Sequence, residues 1–223
     1  MSFSKKIIIV VTRSITSLIF HIDDKQLKAV PNNGPLIFYS NHVNFMEVPT
    51  VYTRLQPRDV HGMVLADRWK NPFLRWILDS TGSIPVQRGL PNLDAIHKAI
   101  DLLRTGAVVG IMPEGTRSGD GVLQQAYPGI VLVALRSGAP MIPIGFHGLE
   151  VYKHNLSSLK RTDFHFVVGK PFFLNSRGEA LSAPVRQQMT SEIMYRLAAI
   201  LPPPYRGVYA DLTQATQDYL VFS

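Results

Sequence analysis

The chain has 223 residues, which is enough for one well-cored domain and short for two. Apolar residues make up 46% of it and charged residues only 17%, which excludes a disordered protein. The formal net charge of +7 favours an anionic partner, and the absence of cysteine excludes a disulfide framework and a cysteine nucleophile. The basic residues are scattered and form no stripe with interleaved aromatics, so nucleic acid is not expected as a partner.

The predicted elements begin with an apolar run over residues 7–20. This run is shorter than the about 20 residues that a membrane-spanning helix needs. Arg13 interrupts it and no small-residue cleavage site follows, which argues against a secretory signal. We expect an amphipathic helix within residues 1–22. It either lies in the membrane interface, with Lys5, Lys6 and Arg13 at the headgroups, or packs on the domain.

Short apolar runs then alternate with amphipathic stretches along the chain. Strands are predicted at residues 36–39, 63–65, 83–86, 107–112, 141–146 and 164–168. Helices are predicted at about 45–56, 71–78, 93–103 and 130–136, and from Pro184 to the three prolines at 202–204, with a polar loop after Lys153. The alternation predicts an α/β fold whose mostly parallel central sheet is covered by helices on both faces. Because no linker or repeat is visible, we expect a single domain over residues 1–223.

His42 directly follows the first of these buried strands, at the carboxyl end where open α/β sheets build their sites. A neutral histidine can take a proton from a hydroxyl, and Glu47 could bond its other ring nitrogen and fix the tautomer. A five-residue step leaves two side chains about 140° apart on a regular helix. The contact therefore requires His42 in the turn before the helix and Glu47 inside it. A catalytic pair and a structural pair both fit this spacing.

Further polar residues follow two later predicted strands. Arg88 follows one strand, and the hexapeptide Pro-Glu-Gly-Thr-Arg-Ser at residues 113–118 follows another. A guanidinium can bind a phosphate through two parallel hydrogen bonds, and the glycine of the hexapeptide lets a ligand approach closely. Taken alone, Arg88 could equally be solvated and the hexapeptide could be a helix-start turn. The apolar stretch 138–145 could line an acyl-chain slot or pack in the core.

Four blocks of the sequence carry these features: the segment from His42 to Glu47, the strand followed by Arg88, the hexapeptide and the apolar stretch 138–145. In their order and spacing they resemble the glycerophospholipid acyltransferase family typified by bacterial 1-acyl-glycerol-3-phosphate acyltransferase. The resemblance covers about residues 30–170, and the hexapeptide is its most specific part. It implies a glycerol-phosphate-acyltransferase-like fold. It also implies transfer of a fatty acyl group from a thioester, either acyl-coenzyme A or an acyl carrier protein, to the free hydroxyl of lysophosphatidate. No cofactor and no metal would be needed.

The resemblance also implies roles for individual residues. His42 would be the general base, and Glu47 would take the role of the family's aspartate with one more methylene. The residues that would bind the acceptor are Asn44, Arg88, Glu114, Gly115, Thr116 and Arg117. Pro143 would lie near the acyl donor. The implied partners are an anionic lysophospholipid, the thioester and a membrane surface, with the protein peripheral or monotopic on the cytoplasmic face.

The glutamate at position 47 keeps two alternatives open. The acceptor could be another lysophospholipid or a glycolipid. Alternatively, the chain could be a catalytically silent lipid-binding member of the family, if the longer side chain cannot support the histidine. The two alternatives differ in whether any acyl transfer is observed.

Three aromatic residues provide a second candidate membrane contact. Trp69, Phe73 and Trp76 are spaced as on one face of a helix, and basic residues flank them. This spacing predicts either an anchor at the headgroup level of a bilayer or packing in the core.

Overall fold

Helices and strands alternate along the chain in the computed structural model, which describes residues 3–89 and 92–222. The helices are α1 (Phe3–Ile19), α2 (Glu47–Arg54), α3 (Pro72–Thr81), α4 (Leu93–Arg104), α5 (Gly129–Ser137), α6 (Tyr152–Ser157) and α7 (Ala183–Ile200). The strands are β1 (Phe20–Asp23), β2 (Leu36–Tyr39), β3 (Val60–Leu65), β4 (Ile84–Val86), β5 (Val108–Ile111), β6 (Met141–His147), β7 (Thr162–Val168), β8 (Phe173–Leu174) and β9 (Leu220–Val221). All the helices and strands predicted from the sequence are present.

Seven of the strands form one sheet in the order β1-β7-β6-β2-β5-β3-β4. The five strands from β6 to β4 run parallel, which confirms the predicted mostly parallel sheet. At the other edge, β7 runs antiparallel to β6, and β1 runs parallel to β7. In the centre, Phe38 pairs with Gly110, where an added Cβ would lie 2.3 Å from the phenyl ring. The glycine therefore makes room for a buried aromatic ring.

Helices cover both faces of the sheet, as predicted, and β2 contributes to both cores. Because successive side chains of a strand point to opposite faces, Leu36 and Phe38 enter one core and Ile37 and Tyr39 the other. The first core also contains side chains of α2, and the second is closed by α4, α5 and α7. The strand that leads to His42 is thus buried along its whole length.

The N-terminal helix has an apolar face that points away from the domain. Ile8, Ile9 and Thr16 are buried, and α1 packs on α2. The exposed large apolar residues of α1 are Phe3, Ile7, Val10, Val11, Ile15 and Leu18. Within the described residues, no helix combines the length and the apolar character needed to cross a membrane.

The predicted helical face of three aromatics is wrong. Trp69 lies in a 3-10 turn, and α3 begins only at Pro72, with the side chain of Asn71 accepting hydrogen bonds from the first helical N–H groups. The indole of Trp69 donates to Asp79 at 2.8 Å. Of the three aromatic residues, only Phe73 and Trp76 lie on the exposed face of α3, and their ring centroids are 6.2 Å apart. The proline and its capping residue interrupt the spacing because they start the helix later.

The polar loop predicted after Lys153 begins later than expected, because residues 154–157 lie within α6 and only residues 158–161 form the loop before β7. The helix is short, and its one buried residue is Tyr152, whose ring lies 6.3 Å from that of Phe20. A single buried residue creates no apolar periodicity, so the sequence pattern does not show this helix.

Candidate active site

His42 lies in the turn between β2 and α2, and Glu47 is the first residue of α2. The five-residue spacing is therefore realised in the one way that permits contact. The Nδ1 atom of His42 is 2.5 Å from Oε1 of Glu47. The Glu47 side chain is fully buried, whereas 17% of the His42 side chain is accessible. Since Nδ1 is engaged by the carboxylate, Nε2 is the ring nitrogen that can face a substrate.

The carboxylate of Glu47 is held by the backbone of the same turn. The N–H of Asn44 donates to both of its oxygens, at 3.0 and 3.1 Å. The Asn44 side chain accepts from the N–H of Met46 at 2.8 Å and donates to the carbonyl of Leu149 at 3.1 Å. Asn44, which the resemblance assigns to acceptor binding, thus braces the turn against the segment after β6. The glutamate reaches the imidazole despite its extra methylene.

Glu114 lies in the loop after β5, the strand beside β2, and is almost fully buried. Its two oxygens accept hydrogen bonds from the N–H groups of His42 and Gln124, both at 3.1 Å. Burial raises the pKa of Glu114 to about 7, although the two hydrogen bonds oppose the rise and the negative charge of Glu47 adds to it. In this geometry Glu114 joins the hexapeptide loop to the His42 turn.

The rest of the hexapeptide loop runs alongside the same turn. The N–H of Ser118 donates to the carbonyl of His42 at 2.8 Å, and the N–H of Gly119 donates to the carbonyl of Val43 at 2.9 Å. Gly115 has a φ of +66°, a left-handed conformation that favours glycine. Arg117 is exposed and directly precedes the residue that binds the His42 carbonyl. The backbone that carries the Arg117 guanidinium therefore runs alongside the His42 turn.

Two of the predicted site residues lie apart from this cluster. Arg88 is exposed in the turn after β4, which is three strands away from β2. At about 4.8 Å per strand, this separation is about 14 Å across the sheet. Pro143 is buried within β6 and pairs with Tyr39, and an added Cβ on Gly169 would lie 2.5 Å from its ring. The structure therefore brings Asn44, Glu47 and residues 114–117 to His42, but not Arg88 or Pro143.

Residues 21–147 match the protein family described as Acyltransferase. This span is more than half of the chain and contains both the His42 turn and the hexapeptide loop. The chain belongs to the acyltransferase family.

Relatives of this chain carry a more specific name. It is 27% identical over 180 residues to the chloroplastic 1-acyl-sn-glycerol-3-phosphate acyltransferase BAT2 of Brassica napus, covering 78% of this chain and 51% of that protein. It is 26% identical over 142 residues to the 1-acyl-sn-glycerol-3-phosphate acyltransferase of Bacillus subtilis (strain 168), covering 64% of this chain and 69% of that protein. The chain thus spans about half the length of the plant relative.

The fold of this chain resembles a solved structure. That structure is the 1-acyl-sn-glycerophosphate acyltransferase PlsC from Thermotoga maritima, with a TM-score of 0.64 and 18% identity. The match covers 88% of this chain and 78% of the other. At this identity the likeness is one of fold.

Sequence reasoning missed the role of Asn41, the residue before the histidine. Its side-chain amide donates to the carbonyl of Phe146, and its side-chain oxygen accepts from the N–H of Phe146, both at 2.8 Å. The side chain thus extends the hydrogen bonding between β2 and β6 and fixes where the His42 turn begins. The available signal was an asparagine two residues after an apolar strand and directly before the histidine.

Sequence reasoning also missed Tyr205, which lies in the segment after α7. Its hydroxyl donates to Glu150 at 2.5 Å, and its carbonyl accepts from the N–H of Leu123 at 2.9 Å. An added Cβ on Gly121 would lie 2.9 Å from the Tyr205 ring. The segment therefore packs over the loop that carries Glu114, and no local pattern indicates this contact.

No candidate metal centre occurs among residues 3–89 and 92–222. No group of three or more histidine, aspartate or glutamate side chains there could hold a metal ion.

Proposed function

We propose that this acyltransferase moves a fatty acyl group from a thioester donor to the free hydroxyl of lysophosphatidate, which makes phosphatidate for phospholipid synthesis. The observation that supports the proposal best is the His42–Glu47 contact beside a loop that presents Arg117. The name shared by the relatives, 1-acyl-sn-glycerol-3-phosphate acyltransferase, supports lysophosphatidate as the acceptor.

The proposed chemistry begins with the histidine as general base. Glu47 keeps the Nδ1 atom of His42 protonated, so that Nε2 can take the proton of the acceptor hydroxyl. The hydroxyl oxygen forms a bond to the thioester carbonyl carbon. When the tetrahedral intermediate collapses, the carbon–sulfur bond breaks and the departing thiolate recovers the proton from His42. Glu47 stabilises the imidazolium that exists between the two proton transfers.

The proposed anion site is centred on the hexapeptide loop. The Arg117 guanidinium can bind the acceptor phosphate through two parallel hydrogen bonds, and the Thr116 hydroxyl and the backbone at Gly115 can add contacts. Glu114 contributes by positioning this loop and the His42 turn, because both of its oxygens already accept backbone hydrogen bonds. Arg88 follows β4, about 14 Å across the sheet from β2, and would contact the same acceptor only if its long side chain reaches back towards the His42 turn.

We further propose that α1 lies in the membrane interface on the cytoplasmic face, with the protein peripheral or monotopic. Its outward apolar face supports this placement, and Lys6 and Arg13 are exposed beside that face. Lys5 differs from the expectation, because its ammonium lies 2.9 Å from the carboxylate of Asp59 and its side chain is only 13% accessible. It joins α1 to the domain instead of contacting headgroups.

The decisive experiment is acyl transfer by the purified protein in detergent. Long-chain acyl-coenzyme A and acyl carrier protein are compared as donors, and lysophosphatidate, other lysolipids and no acceptor are compared as acceptors. His42→Ala is expected to lower turnover by about 10²-fold or more. His97→Ala is the matched control, since His97 is an exposed histidine on α4. Near-wild-type turnover in His42→Ala contradicts the base assignment.

The same experiment separates the alternatives. Product with another lysophospholipid or a glycolipid alone would keep the chemistry and change the acceptor. No product from folded protein would favour the silent lipid-binding alternative. The 2.5 Å contact between Glu47 and His42 argues against that alternative, because the longer side chain does reach the ring.

A further inference from the structure

A leucine is held almost fully in solvent at the tip of the loop between α6 and β7. Leu159 is 95% exposed, the highest value among the exposed large apolar residues, and its φ of +52° lies in the left-handed region. An L-residue with a side chain is disfavoured there, and glycine or asparagine is the usual choice. A leucine that is both strained and exposed indicates a function for the exposed side chain.

The tip is braced and does not depend on Leu159 for its own packing. The N–H of Lys160 donates to the carbonyl of Asn155 at 2.8 Å, and the N–H of Leu159 donates to the carbonyl of Leu156 at 3.1 Å. The Asn155 side chain donates to the hydroxyl of Thr162 at 3.0 Å. These bonds fix the loop at both ends, so that Leu159 is presented on a rigid support.

The tip also adjoins the end of α1. The Arg161 guanidinium donates to the carbonyls of Ser17 and Phe20, which lie on either side of Leu18. Leu18 is 76% exposed and is the last member of the outward apolar face of α1, and Leu156 is 48% exposed. The apolar surface of α1 therefore continues towards the tip.

The charged residues within 151–161 are all basic, between Glu150 on one side and the exposed Asp163 on the other. Lys153, Lys160 and Arg161 are exposed, and no aspartate or glutamate occurs between residues 151 and 161. Exposed apolar side chains surrounded by lysine and arginine match the layers of an anionic bilayer, with the leucines at the acyl chains and the cations at the headgroups. A folded protein partner would offer no reason for this layered arrangement.

The tip lies at the same end of the sheet as His42, beyond the carboxyl ends of the central strands. His147, at the carboxyl end of β6, pairs with His165, so that the earlier part of β7 and the loop before it extend beyond that end. Phe20, just after α1, pairs with Thr162, and this pairing places the end of α1 at the same end of the sheet. A bilayer that contacts the tip would therefore lie beside the proposed site.

We infer that the tip, which comprises the last two residues of α6 and the loop that follows (residues 156–161), inserts into an anionic lipid bilayer as a second membrane contact beside α1. Together, α1 and the tip orient the carboxyl ends of the parallel strands towards the lipid surface. A lysophospholipid can then reach His42 from the plane of the bilayer. This inference concerns the membrane contact and does not depend on which hydroxyl is acylated.

The test uses the absence of cysteine in the natural sequence. Leu159→Cys provides a single site for an environment-sensitive fluorophore. Val221→Cys is the matched control. Val221 is 39% exposed on β9, which pairs with β8. The residue just before β8 pairs with the start of β6, so that Val221 lies at the opposite end of the strands from the tip. When vesicles containing phosphatidylglycerol are added, the fluorescence emission of the label at position 159 is expected to shift to shorter wavelength. The emission of the label at position 221 is expected to stay unchanged.

A charge substitution supplies the second measurement. Leu159→Asp is expected to weaken binding to the same vesicles by about tenfold or more, while Val221→Asp binds as the wild type does. An unshifted label at position 159, on vesicles to which a label at Val10 responds, would overturn the inference. Equal responses to purely phosphatidylcholine vesicles would also contradict it, because the basic residues would then have no role. Acyl transfer in detergent by Leu159→Asp should match the wild type, so loss of the membrane contact is distinguishable from failure of the proposed function.

Discussion

Replacing Glu114 by glutamine would test whether this buried carboxyl is neutral over part of the physiological pH range. Glu114 is 1% exposed, and its two oxygens accept from the backbone N–H groups of His42 and Gln124. Glutamine has nearly the same shape but only one acceptor oxygen. Its amide nitrogen would face one of the two N–H donors, and that donor would lose its partner.

The magnitude has a part that does not depend on pH and a part that does. The lost hydrogen bond, with a buried N–H left unpaired, costs about 1–3 kcal/mol at any pH. Burial raises the carboxyl pKa from 4.5 to about 7, so the folded state binds more protons than the unfolded state in this window. The ionised wild type therefore loses stability as the pH rises from 4.5 towards 7. At about 1.4 kcal/mol per pH unit, the loss between pH 5 and pH 8 is about 2 kcal/mol.

The assay is urea unfolding of the wild type and Glu114→Gln in the same detergent at pH 5 and pH 8. We expect the variant to be less stable than the wild type at pH 5, and the difference to change by about 2 kcal/mol in favour of the variant at pH 8. Asp94→Asn is the control, because Asp94 is an exposed carboxyl on α4. A difference between Glu114→Gln and the wild type that is the same at both pH values would refute the raised pKa.

Three further predictions concern Glu47, Tyr205 and the exposed aromatic pair of α3. Glu47→Gln is expected to lower kcat by about 10³-fold or more, because a neutral amide no longer fixes the tautomer or stabilises the imidazolium, while Glu47→Asp keeps measurable turnover; equal kcat for Glu47→Gln would contradict the pair. Tyr205→Phe removes the hydroxyl that donates to Glu150 and should lower the free energy of unfolding by about 1 kcal/mol, so an unchanged urea midpoint would argue that this contact contributes nothing. Phe73→Ser combined with Trp76→Ser tests whether the exposed aromatic pair of α3 also contacts the bilayer; binding to vesicles is expected to weaken by about tenfold without a change in the unfolding midpoint, and unaltered binding would show that α3 makes no membrane contact.

The contact between His42 and Glu47 could be specified from the sequence because both residues belong to one local segment. Helical geometry excludes the contact within a regular helix and requires a turn before Glu47, and α2 begins at this residue. The neighbouring strand was equally visible as a short apolar run. Local spacing therefore sufficed for this part of the site.

The environment of Glu114 could not be obtained in the same way. The resemblance implies that it binds the acceptor, whereas in the structure its carboxylate accepts from the His42 N–H, 72 residues earlier in the chain. This bond exists because β5 lies next to β2. The exposure of Leu159 and the packing of Tyr205 over the hexapeptide loop likewise depend on which segments become neighbours.

The sequence by itself determined the alternation of strands and helices, the presence of an amphipathic helix within residues 1–22 and the order of the polar segments along the chain. These features follow from apolar periodicity and from residue types, which are local properties. Only the tertiary structure decided that β2 lies between β5 and β6, that β7 and β1 run in the opposite direction, and that Arg88 is three strands from the histidine. Strand order arises from contacts between distant segments and from the packing of helices on both faces, and no single segment encodes it.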